Sequence, residues 1–145
     1  MWHIGGTAQD ARAWAVAARV TVVHPDGQWQ LQAQVLHWRG DTARGGPTAA
    51  SVFSNAVVAL RGCQQETPLQ SPLITTDEPN RMAAVISGPV NMHTYLVAPV
   101  ASSTISELTL WASGPPQVPW PAMADDPVLN AMTAPLREAY IASCP

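Results

Sequence analysis

Between Trp14 and Arg39, apolar and polar residues alternate on either side of Asp26-Gly27. This is the pattern of two strands joined by a tight hairpin turn. Setting Pro25 opposite Gln28 pairs His24 with Trp29, Val22 with Leu31, Val20 with Ala33, Ala18 with Val35, Val16 with His37 and Trp14 with Arg39. That face is nearly all apolar. The other face pairs Val23 with Gln30, Thr21 with Gln32 and Arg19 with Gln34, then Ala17 with Leu36 and Ala15 with Trp38. It is polar near the turn and apolar at the base. A slip of one residue would turn Gln30, Gln32 and Gln34 inward, so the register is well specified. A four-residue loop closed by His24 and Trp29 gives the same register. The expectation is that Val20 and Val22 are buried and that Gln32 and Gln34 are more exposed.

Residues 1–11, with Gly5-Gly6, read as a loose lead-in, and 40–47 as a Gly-rich connection. The spacing then predicts a helix from Pro47-Thr48 to Gly62. Val52, Phe53, Ala56, Val57 and Leu60 recur on one side, and Ser51, Ser54, Asn55 and Arg61 on the other. Gly62 reads as the residue that ends this helix, just before Cys63. The helix is expected to pack on the apolar face of the hairpin. Residues 64–72 are polar and broken by Pro68 and Pro72.

A short strand is predicted at Leu73–Thr76, stopped by Asp77-Glu78-Pro79-Asn80, and further strands at Arg81–Ser87, Asn91–Val100 and Thr104–Ala112. In the last, Ile105, Glu107, Thr109 and Trp111 alternate with Ser106, Leu108 and Leu110. The short links favour an antiparallel meander. The segment 114–121, GPPQVPWP, reads as an extended polyproline-like crossing. Asp125-Asp126-Pro127 then opens a helix with Val128, Leu129, Met132, Leu136, Ala139 and Tyr140 on one side. Pro135 is expected either to kink it or to open a second short helix capped by Thr133. The order ββα(β)βββα predicts a single α+β domain over residues 1–145. Its sheet is largely antiparallel, a long N-terminal hairpin plus a C-terminal meander, with two helices packed on one face.

Composition narrows the classes. The chain has 145 residues, which is one domain by size. The 47% hydrophobic and 12% charged content and the net charge of −3 offer no basic patch for nucleic acid. No run reaches the length of an integral membrane segment, and no cationic amphipathic helix suits an anionic membrane surface. All seven basic residues are Arg, the mark of a high-GC bacterium. Met1 to Gly6 lacks the charged and apolar regions of a signal peptide.

Cys63 and Cys144 each fall just past the end of a predicted helix. If both helices cover one face, their ends can approach within the roughly 4.4–6.8 Å Cα separation that a disulfide bond requires. A Cys63–Cys144 bridge and the low charge point to a secreted, periplasmic or other cell-envelope domain whose export signal lies upstream. The alternative is a cytoplasmic subunit of a larger assembly with two free thiols.

Candidate chemistry is sparse. His24 and His37 lie about 26 Å apart along the hairpin and cannot share an ion. No H-x-x-x-H or H-E-x-x-H spacing occurs. His93 with His37 or His3 could form a His-centred site in a small hydrolase-type enzyme, but ordinary half-buried strand histidines are the simpler reading. There is no G-x-S-x-G elbow and no P-loop. Glycoside hydrolysis needs two inward-facing acids, and Glu107 is the only acid within a strong strand pattern. The triplet Arg39-Gly40-Asp41 reads as an ordinary loop. Trp120, between Pro119 and Pro121, and Trp2 in the lead-in offer aromatic contact area, although the simpler reading of Trp120 is that it pins the Pro-rich crossing to the sheet. The sequence therefore points to a non-catalytic binding module for a protein partner or an apolar small molecule. It needs no cofactor and no metal, and its contact candidates are Trp120, Trp2, His37 and His93.

Overall fold

The computed structural model describes residues 15–23, 29–39, 42–66, 71–87, 91–100, 102–112 and 123–142. The elements run β1 (Ala15–Val23), β2 (Trp29–Trp38), α1 (Thr42–Glu66), β3 (Ser71–Glu78), β4 (Arg81–Ser87), β5 (Asn91–Val97), β6 (Thr104–Ala112) and α2 (Asp125–Ala142). The six strands form one antiparallel sheet in the order β1-β2-β6-β5-β4-β3. This is the α+β class predicted. The last strand, β6, lies between β2 and β5, so the hairpin and the meander become a single sheet.

The hairpin register is as the alternation predicts, from Ala15 opposite Trp38 to Val23 opposite Gln30. Its burial is not. Val20 and Val22 are 55% and 54% exposed, whereas Gln34 is 6% exposed. The placement of the helices explains this. Pleating puts Leu36 and Trp38 of β2, Ile105 of β6, Leu96 of β5 and Met82 and Ala84 of β4 on one face. These residues pack with Ala49, Phe53, Ala56 and Leu60 of α1. Gln30, Gln32 and Gln34 belong to that same face. The α1 helix thus covers the apolar base of the face that is polar near the turn, not the face bearing Val20 and Val22.

The second helix covers the reverse side. Val128 and Leu129 of α2 are buried with Ala83 of β4 and with Tyr95 and Val97 of β5, and Leu108, Met132 and Leu136 pack against them. The two helices therefore lie on opposite faces of the sheet, which corrects the expectation of a single covered face. Both faces of β4, β5 and β6 carry apolar residues, so each face can be covered.

The boundaries of α1 also differ from expectation. It begins at Thr42 and continues past Gly62 and Cys63 to Glu66, with Pro47 inside it. Gly62 does not take up the left-handed conformation of a terminating glycine. Gly45 explains the early start: a Cβ there would collide with the Ser103 side chain, so only glycine lets the first turns approach the bend that leads into β6. Likewise, α2 passes through Pro135 as one helix. β3 is longer than predicted and carries a bulge between Ile74 and Thr76. β5 stops at Val97, after which the Ala98 amide donates to the Asn80 carbonyl at 2.8 Å. Among the described residues, no helix is long and apolar enough to cross a membrane.

With the helices on opposite faces, the one-face geometry behind a Cys63–Cys144 bridge does not hold. Cys144 itself lies outside the described residues.

Candidate functional site: an open edge and a polar row

The two strand histidines stand on the α2 face at opposite ends of the sheet. His37 faces Thr104 on β6, whereas His93 faces Leu110. Six residues along β6 place them about 20 Å apart, so they cannot form one centre. His37 Nδ1 shares a 2.9 Å hydrogen bond with Thr104 Oγ1. The His93 ring packs at 63° to that of Trp29, with centroids 6.2 Å apart. Burial lowers the His93 pKa, and the charge of Asp125 offsets part of that. Both arrangements are those of packed strand histidines. Among the described residues, no three His, Cys, Asp or Glu side chains converge as a metal site would need. Trp2, Trp120 and His3 fall outside the described residues.

Two features stand out instead. The first is the β1 edge. Among the described residues β1 pairs only with β2. Val20 and Val22 face Ala33 and Leu31 of β2, giving an apolar strip on the α2 face beyond the reach of the α2 core. The opposite edge, β3, carries Pro72, a bulge and the charges Asp77 and Glu78. Pro, bulges and charge each discourage pairing of a free edge. The described β1, AVAARVTVV, has one Arg and neither of the other devices.

The second feature is a polar row on the α1 face, above its apolar base. Pairing places Arg19 beside Gln34 and Gln34 beside Glu107. One rung on come Gln32, Thr109 and Thr94, and beyond them Gln30, Trp111 and Met92. Arg19 Nε and its terminal Nη2 donate to Gln34 Oε1 at 3.1 and 2.6 Å. Thr109 Oγ1 donates to Glu107 Oε1 at 3.4 Å. Glu107 is 8% exposed, and burial pushes its pKa up, while the Thr109 hydrogen bond and the Arg19 charge pull it partly back. Thr94 is 1% exposed, and its hydroxyl has no hydrogen-bond partner.

Sequence reasoning noticed Glu107 only as a lone strand acid and read the glutamines as a solvated face. The signal was available in the register, which already set Arg19 opposite Gln34. What it lacked was the β2–β6 pairing that brings Glu107 alongside. A comparison of the chain with protein-family models finds no match, and comparisons with curated proteins and with solved structures find none either.

Proposed function

We propose that this domain is a non-catalytic docking module that takes a strand of a partner protein, different from itself, along β1. The observation that carries this reading is the pair Val20 and Val22, more than half exposed on an edge strand without the protection that β3 has. A peptide added to a free edge gains main-chain hydrogen bonds, and its alternate side chains find an apolar strip to cover. Covering the exposed half of each Val would contribute about 1–1.5 kcal/mol. An apolar small molecule suits the strip less well, because such ligands favour concave sites. The packed geometry of His37 and His93 gives a His-centred hydrolase no support.

Placement outside the cytoplasm is the companion proposal. It is supported by the low charge and the absence of Lys.

The test is site-specific photo-crosslinking in the native host, with the probe at Val20, at Val22 and, as a control, at exposed Val58 of α1. The expected result is one discrete heterologous adduct from both β1 positions and none from Val58. No adduct, or only a dimer of this chain, would overturn the reading.

A further inference from the structure

We infer that the row formed by Arg19, Gln34, Glu107, Thr109 and Thr94, bordered by Trp111, is a binding site for a neutral polyhydroxylated ligand such as a mono- or disaccharide. This site is on the opposite face of the sheet from the β1 apolar strip and is independent of it.

The first argument is that the row is costly as pure structure. A carboxyl group buried on a sheet face, with a hydrogen bond as long as 3.4 Å from Thr109, is poorly compensated. Thr94, set directly across from Thr109, adds a buried hydroxyl without a partner. Buried polar groups are nearly always satisfied, so an unsatisfied one next to a buried acid asks for a missing partner. A ligand hydroxyl reaching between Thr109 and Thr94 supplies one.

The second argument fixes the ligand class. Carboxylate, carboxamide and guanidinium groups are planar and multidentate, and they suit pairs of neighbouring hydroxyls that both donate and accept. A ligand of either single charge would meet one like charge, Glu107 or Arg19, within the same rung. A neutral ligand meets neither penalty. Trp111 is half-buried on the same face and one rung beyond Thr109, about 7 Å along the strand. That offset places an aromatic surface where the apolar face of a sugar ring would rest when its hydroxyls reach Glu107 and Gln34.

The experiment is isothermal titration of the whole chain with glucose, galactose, mannose, maltose and cellobiose, and with glucosamine and glucose 6-phosphate as charged analogues. Saturable binding of at least one neutral sugar is expected, with neither charged analogue binding more tightly than its neutral parent. Glu107→Gln and Trp111→Ala should each weaken that binding on the order of tenfold or more, while Val58→Thr leaves it unchanged. Glu107→Gln keeps the shape of the side chain, and its thermal melt at neutral pH should be no lower than that of the native protein, so lost binding cannot be lost folding. Three results would each overturn the inference: no saturable heat with any neutral sugar, tighter binding of a charged analogue, or binding that Glu107→Gln leaves intact.

Discussion

At the scale of single residues, two positions carry more than their type suggests. Gly45 lies where a methyl group would collide with both Oγ and Cβ of Ser103, the latter at 2.5 Å. In an exposed helix Gly→Ala would stabilise by about 1 kcal/mol. Here overpacking should dominate, and Gly45→Ala should lose about 1–3 kcal/mol in urea denaturation; adding Ser103→Gly should restore most of it. Glu107 is the second. Its folded pKa is raised chiefly by burial, so the folded state holds the proton to higher pH than the unfolded chain does. The ionised group therefore weakens the fold, progressively as pH rises from the unfolded glutamate pKa through the raised folded value. Glu107→Gln should raise the melting temperature near neutral pH, and the gain should vanish below the ordinary glutamate range. An unchanged difference across that range would refute the assignment.

At the scale of elements, the hairpin separates register from burial. Val20→Ala should change stability by less than about 0.5 kcal/mol, as at an exposed site. Gln34→Ala should cost about 1 kcal/mol or more, because it removes a buried acceptor of two Arg19 hydrogen bonds. Chemical denaturation of the two variants checks the order, which is the reverse of what alternation alone suggests. In α2, Pro135 is exposed yet lies well inside the helix. Its ring removes one backbone hydrogen bond and crowds the preceding turn. Pro135→Ala should therefore stabilise, by up to about 3 kcal/mol, read as a higher denaturation midpoint.

At the scale of the whole molecule, the sheet separates its two helices. Cys63 is in the last part of α1, across the sheet from α2. This removes the one-face argument for a Cys63–Cys144 bridge. Burial on both faces also explains why each helix has its own apolar stripe and its own strands: Leu36, Leu96 and Ile105 serve α1, whereas Tyr95, Val97 and Leu108 serve α2.

The sequence by itself determined what is local. Period-two alternation and Asp26-Gly27 set every pair of the β1–β2 register. The apolar runs located β4 and β6 to the residue, and Phe53, Ala56 and Leu60 marked the buried side of α1. Such features depend on chemistry within a few residues, or on one turn. Which face is covered depends on where a distant helix lands, and only the tertiary structure decided that. A strand with apolar residues on both sides offers two acceptable faces, so Val20 and Val22 gave no sign that they would stay exposed. Gln34 could not show that it would be enclosed until β6 joined β2 and set Glu107 beside it. The polar row is likewise a property of pairing between β2 and β6, more than seventy positions apart in the chain, and no local pattern encodes it.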